Sequence, residues 1–213
     1  MTTIESIRKQ YMASPLNRGQ LAEDPVEQFA IWFDQAKQAA VHYPHAMGLS
    51  TVSTSMELSS RIVLLRYFDR QGFVFFSGYE TEKAAHIAQN PSVALLFSWL
   101  ELERQLRIRG TAKKISARES LKFFISRSRE GQLGAWLSQS EGDIGSRDLL
   151  KKTYAKAKQR FQDGKIPLPE KWGGYLVEPD RFEFWQGRKD GLHDRFRYTK
   201  IDEQGWEIRR LLP

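Results

Sequence analysis

Cysteine is absent from the 213 residues, which excludes disulfides, thiolate metal sites and a cysteine nucleophile. The four histidines are scattered and no HExxH spacing occurs, so no metal centre is expected. Neither GxGxxG nor GxxxxGK[ST] is present, and with them go the usual dinucleotide and P-loop solutions to nucleotide binding. There is no GxSxG elbow to support a hydrolase. No run approaches the roughly 18 apolar residues of a membrane helix. The opening MTTIESIRKQY lacks an apolar stretch followed by a small-residue cleavage site, so the expectation is a non-secreted, cytoplasmic protein. Internal repeats and low-complexity segments are missing as well.

What is present is enough for a sizeable core. Hydrophobic residues make up 40% of the chain and aromatics 12%, and 28% charged residues argue against disorder along the whole length. The net charge of +7 raises the question of nucleic acid. The basic residues, however, are spread among acidic ones. The densest run, Leu150 to Arg160, has helical spacing and no aromatic stacking ladder, which reads as a solvated helix face. A protein that binds small phosphorylated molecules accounts for the charge equally well.

Along the chain, residues 1–22 read as a mobile arm with a short helix over Thr3 to Met12, and 23–213 as one domain. Asp24-Pro25-Val26-Glu27 supplies an N-cap, a proline at the first helical position and a carboxylate at the third. Val26, Phe29, Ala30, Phe33, Ala36 and Ala40 follow at helical spacing and predict its buried face. Strands are predicted at Ala46–Ser53, Ser59–Tyr67, Phe73–Ser77, Val93–Trp99 and Arg104–Ile115. Thr81 is read as the cap of a short helix ending near Asn90-Pro91, and Ser116-Ala117-Arg118-Glu119 as a capping box. A glycine-punctuated loop, a helix from Ser146 to Gln162, and strands at Gly174–Glu178, Arg181–Gln186, Arg195–Thr199 and Trp206–Leu211 complete the chain. Short antiparallel strands with helices grouped around them predict an α+β protein with a barrel-like sheet.

Three segments could carry chemistry. Arg61 and Arg66 flank a buried-looking strand, Ile62-Val63-Leu64-Leu65; they are either solvent-facing strand ends or an anion site of guanidinium forks. Ser77 at a strand end and Lys83 near a helix start could cradle a phosphate, or be ordinary cap chemistry. Trp185 could stack on a flat ring or belong to the core. His193 and Arg195, two apart, share a side if the segment is extended; His193 is otherwise a structural hydrogen-bonding histidine.

Taken together, RIVLLR (61–66), FVFFSGYETEKAAHI (73–87), LERQLRIRG (102–110), GAWLSQS (134–140), PLPEKWGGY (167–175), FEFWQG and LHDRF (182–196) closely resemble the pyridoxine/pyridoxamine 5′-phosphate oxidase family, in order from about Arg8 to the C-terminal Leu211-Leu212-Pro213. The resemblance implies an antiparallel split β-barrel flanked by helices, homodimeric, with FMN in the clefts between subunits. It implies oxidation of pyridoxamine or pyridoxine 5′-phosphate to pyridoxal 5′-phosphate, with dioxygen as acceptor and hydrogen peroxide as product. By resemblance, Arg61, Lys83 and Ser77 hold the FMN phosphate and the strand Arg61, Ile62, Val63, Leu64, Leu65, Arg66 runs along the flavin. Phe76, Gln105, Trp185 and Arg195 complete that site, partly from the second subunit. Arg8 and Tyr11 belong to an arm over the substrate. Arg66, Phe123 and Arg127 lie at the substrate phosphate, and His193 and Arg195 are the implied catalytic residues. Neither metal, membrane nor nucleic acid enters this reading.

The chain departs from the family pattern at several of these places. Position 66 is Arg where Lys is usual, 123 is Phe for Tyr, 131 is Gly for Ser, and Gly191 stands where an arginine sits over the substrate ring. Glu82 replaces a basic residue, and Ser140-Glu141 a Gln-Ser pair. The flavin site is therefore expected to be mostly intact and the substrate site eroded, with Arg66, Arg127 or Arg188 compensating. Two other readings are a relative that keeps FMN but takes a phenazine-type precursor, and a non-catalytic flavin-binding protein.

Overall fold

The computed structural model describes residues 15–139, 142, 144–162, 164–202 and 205–213. The expected N-terminal helix, Arg8, Tyr11, Ser140 and Glu141 lie outside the described residues.

The first helix, α1 (Pro25–Gln38), starts where the sequence places it: the Asp24 carboxylate accepts from the amides of Val26 and Glu27, and proline follows the cap. Its buried stripe is rotated from the expected one. Val26, Phe29, Trp32 and Ala36 are buried, whereas Ala40 lies beyond the helix and is exposed. Trp32 wins the inner position because its ring meets Phe184 edge-on at 5.1 Å. Phe29 packs in the same way against Phe73 at 4.9 Å.

The sheet behind α1 is a curled half-barrel of nine strands. They are β1 (Ala46–Val52), β2 (Leu58–Leu64), β3 (Tyr67–Asp69), β4 (Gly72–Gly78), β5 (Ser92–Trp99), β6 (Arg104–Lys114), β7 (Trp172–Gln186), β8 (Asp194–Ile201) and β9 (Gly205–Leu211). Their order is β2-β1-β5-β6-β7-β4-β3, with β8 on β7 and β9 on β8, and every pairing is antiparallel. β2 is an edge strand, which corrects the expectation of a buried one: Ile62 is 69% exposed because only β1 lies beside it. The predicted strand Ser59–Tyr67 also breaks after Leu64. There Leu65 turns into the core while its amide bonds His45, and the Arg66 amide bonds Val74.

A single long β7 stands where two strands were expected, because it changes neighbours midway. Residues 172–177 pair with β4 and 181–186 with β8, while β6 runs beside residues 175–186. The register shifts where Arg109 faces Arg181 but Gly110 faces Pro179, so Asp180 is the extra residue of a bulge. The bulge admits a proline to a central strand. Gly110 is required there, since a Cβ would overlap the Glu178 carbonyl oxygen.

Among the described residues four further helices pack around the sheet: α2 (Glu82–Gln89), α3 (Ala117–Ser126), α4 (Arg129–Leu137) and α5 (Arg147–Arg160). The capping box of α3 is present as read, with Ser116 and Glu119 bonding each other's amides. α4 replaces the expected glycine-punctuated loop. Its two glycines each cost about 1 kcal/mol of helix propensity. Against that, Ser128 caps the helix, and Leu133 and Ala135 are buried with Phe124, Ile166 and Trp172 in a second core cluster.

Two glycines should respond to alanine with opposite sign. Gly110→Ala is expected to lower unfolding stability by about 1–3 kcal/mol through overlap with β7. Gly134→Ala, in α4 with nothing near its Cβ position, should raise it by ~1 kcal/mol. Urea unfolding of both variants checks the pair.

Candidate functional site

Two cavities open side by side between β2, β4 and the start of α2, and share Arg66, Phe76, Ser77 and Lys83 as walls. The larger, about 500 Å³, is bounded by Arg61, Ile62, Val63, Leu64 and Glu82. The smaller, about 330 Å³, continues to Phe123, Arg127 and Trp172. Each element supplies its side chain for a local reason. The edge position of β2 leaves Arg61 able to reach outward, the chain break after Leu64 carries Arg66 to the rim, and Arg127 is the C-cap residue of α3.

Thr81 stands at the N-cap position of α2 but does not cap it. Its hydroxyl donates back to the Gly78 carbonyl instead of accepting from the helix amides. The positive end of that helix lies at the cleft that Lys83 and Ser77 line.

The electrostatics of the three arginines differ sharply. Arg61 is engaged through both terminal nitrogens: Nη1 donates to Leu49 O, Thr51 Oγ1 and Ser59 O, and Nη2 to Ser59 Oγ and, at 2.8 Å, to Glu82 Oε2. Arg66 and Arg127 meet no carboxylate and no hydrogen-bond acceptor with their guanidinium groups among the described residues. They lie instead against aromatic faces, Arg66 at 5.7 Å from the Phe123 ring centre and Arg127 at 5.2 Å from that of Trp172. Burial lowers the pKa of both, and for Arg127 the neighbouring Arg66 lowers it further. Two neighbouring cations, Arg66 exposed at the rim and Arg127 partly buried, that repel each other and meet no counter-charge among the described residues are suited to an external anion. Phe76 stacks on Phe123 at 3.9 Å and on Trp172 at 5.1 Å, which stiffens the wall that carries them.

The remaining site residues gather elsewhere, on one row of the sheet. Gln105 of β6 lies opposite Trp185 of β7, and Trp185 opposite Arg195 of β8. The alternation in β6 has the expected result: Leu106 and Ile108 are buried inside, and Gln105, Arg107 and Arg109 are left on the other face. The next row is Arg107, Glu183 and Arg197. Burial would raise the pKa of Glu183, but hydrogen bonds from Arg195 and Arg197 outweigh it and keep the carboxyl below its ordinary range. The His193 ring lies 4.8 Å from Trp185, and its Nδ1 accepts the Arg188 amide at 3.1 Å. The neutral ring therefore carries its proton on Nε2. Arg195 is oriented by Glu183 and the Leu212 carbonyl, at 2.8 Å each.

Within one chain the two groups do not line a common cavity. Arg61, Arg66, Phe76, Ser77, Lys83, Phe123 and Arg127 come together, and so do Gln105, Trp185, His193 and Arg195, but separately. Leu65 joins neither, since its side chain packs in the core. Gly191 has φ +77°, so a conformational reason for glycine exists there quite apart from any lost substrate contact. Trp172, Thr51 and Ser59 were not singled out from the sequence. Trp172 sits in the PLPEKWGGY motif, but its role under Arg127 depends on a contact 45 residues away in the chain.

A family model described as "Pyridoxamine 5'-phosphate oxidase" matches residues 33–161, and one described as "Pyridoxine 5'-phosphate oxidase C-terminal dimerisation region" matches residues 172–213. The chain is 52% identical over 212 residues to the pyridoxine/pyridoxamine 5′-phosphate oxidase of Crocosphaera subtropica, covering 99% of each. Its identity to the enzyme of that name from Rippkaea orientalis is 51% over 210 residues, again with 99% of each covered. Among solved structures, PhzG from Burkholderia lata 383, in complex with tetrahydrophenazine-1-carboxylic acid, superposes with a TM-score of 0.87 at 25% identity, over 95% of this chain and all of that one. The chain therefore belongs to the pyridoxine/pyridoxamine 5′-phosphate oxidase family.

Proposed function

We propose that this protein oxidises pyridoxamine 5′-phosphate and pyridoxine 5′-phosphate to pyridoxal 5′-phosphate, using FMN and dioxygen and releasing hydrogen peroxide. The observation that carries the substrate class is the neighbouring pair Arg66 and Arg127, backed by aromatic rings and without an anionic partner among the described residues. The larger cavity fits FMN in its chemistry: cationic Lys83, the Ser77 hydroxyl and the positive end of α2 for a phosphate, and the β2 backbone as a flat wall. The two half-sites favour a homodimer, in which Gln105, Trp185, His193 and Arg195 of a second copy close the cleft. The exposed Leu58, Ile62 and Leu96 provide apolar surface for that contact.

Bound FMN supplies a hydride acceptor that dioxygen restores, as hydrogen peroxide. The protein's own residues bind and orient. Arg66 and Arg127 grip the substrate phosphate, and their fixed aromatic backing places the reactive carbon reproducibly. Phe76, Phe123 and Trp172 keep water away from that clamp. His193 presents an Nε2 proton, and Arg195 is held rigidly by Glu183. A carboxylate would also satisfy two guanidinium groups, so a phenazine-type acid is the second reading, favoured by the backbone match to PhzG.

Anaerobic addition of pyridoxamine 5′-phosphate to the purified yellow protein should bleach the flavin bands, and air should restore them. Bands that bleach only with tetrahydrophenazine-1-carboxylic acid would favour the second reading, and bands that persist with both would leave a flavin carrier.

Arg127→Ala should raise KM for pyridoxamine 5′-phosphate about tenfold to hundredfold, since a charge-assisted phosphate contact is worth ~1.5–3 kcal/mol. The flavin spectrum should be unchanged, because Arg127 lines only the smaller cavity. Steady-state kinetics beside an absorption spectrum check both.

A further inference from the structure

We infer that Glu82 is a built-in competitor for the flavin phosphate: its carboxylate holds the donor of Arg61 that a phosphate in the cleft would take, so this chain binds FMN more weakly than the same cleft without it. This rests on the reading of the larger cavity as the FMN site.

A guanidinium has five N–H groups. In Arg61 the Nη1 donors serve Leu49 O at 3.2 Å, Thr51 Oγ1 at 2.8 Å and Ser59 O at 3.1 Å, all part of the β1–β2 framework. Nη2 serves Ser59 Oγ at 2.5 Å and Glu82 Oε2 at 2.8 Å. Only Nε meets no acceptor among the described residues. A phosphate that needs a bidentate grip on Arg61 must therefore displace a partner, and Glu82 is the one partner outside the two strands.

Glu82 is well placed for that role. It lines the larger cavity together with Arg61 and Lys83 and is the first residue of α2, where the helix field favours any anion. A bound phosphate would seek the same field. The Ser59 hydroxyl also donates to the carboxylate at 2.5 Å, which chiefly holds its pKa below the usual range and keeps it charged at neutral pH. The side chain is 52% exposed. Exposed ion pairs are weak, so a phosphate can displace the carboxylate but must then sit beside its charge.

The test compares FMN with riboflavin, which has the ring and ribityl chain but no phosphate. Full-length protein freed of flavin is titrated with each, and fluorescence quenching gives Kd. Glu82→Gln should lower the FMN Kd by about three- to tenfold, in line with removal of one like charge. Glu82→Lys should lower it further, and the riboflavin Kd should move by less than about twofold in either variant. The FMN gain should shrink in high salt. An FMN Kd that stays the same or rises in Glu82→Gln would overturn the inference, and a rise would make Glu82 a positioning partner of Arg61. Equal tightening of riboflavin would also overturn it, because phosphate would then not be the contested group. Wild-type protein that binds neither flavin would overturn the cleft assignment itself, a result distinct from both.

Discussion

β6 lies against β7 along its whole length with one residue of β7 left over, Asp180, and the two backbones come close enough at Gly110 that no side chain fits between them. That contact bends the strand pair and lets the two halves of β7 face different partners, β4 on one side of the bulge and β8 on the other. The β4 half reaches the cavities under α2. The β8 half carries the row of Gln105, Trp185 and Arg195. Both half-sites thus border one strand, and the Asp180 carboxylate secures the extra residue by accepting from Arg109 Nε at 2.8 Å. Strand pairing is a rigid mount for side chains that must meet a ring and a phosphate to within fractions of an ångström.

The arginines of the protein show how the same residue type is put to different use by its surroundings. Arg195 and Arg197 share the buried Glu183, which offsets part of their charge and fixes their direction. Both Nη atoms of Arg61 are occupied by framework oxygens and Glu82. Arg66 and Arg127 lie against aromatic faces and meet no carboxylate among the described residues. Two neighbouring cations so placed are complementary to an anion such as the proposed substrate phosphate.

Much of the fold was legible because it follows local rules. Asp24-Pro25 and the Ser116–Glu119 box start helices whatever the surroundings, and the alternation of Leu106 and Ile108 with Gln105, Arg107 and Arg109 assigns the two faces of β6. α4 was hidden because Gly131 and Gly134 argue against a helix locally, while the burial of Leu133 and Ala135 that rescues it is tertiary. Ile62 read as buried because an apolar run does not announce that its strand lies at a sheet edge. Of the site, the residue types and motif order were legible through the family resemblance. Their partners were not: nothing local to Glu82 says that it reaches Arg61, and nothing local to Trp172 says that it backs Arg127.

The sequence by itself determined the α+β class, the position of most strands, the surplus of cations suited to phosphate and, through ordered motifs, the family. These are properties of neighbours in the chain, where caps, alternation and turn residues act over a few positions. Only the tertiary structure decided which cations are already neutralised and which are open, and that the site residues fall into two separate groups. Charge satisfaction depends on distances between residues far apart in the chain, and those are set by sheet register and helix packing, which no local pattern contains.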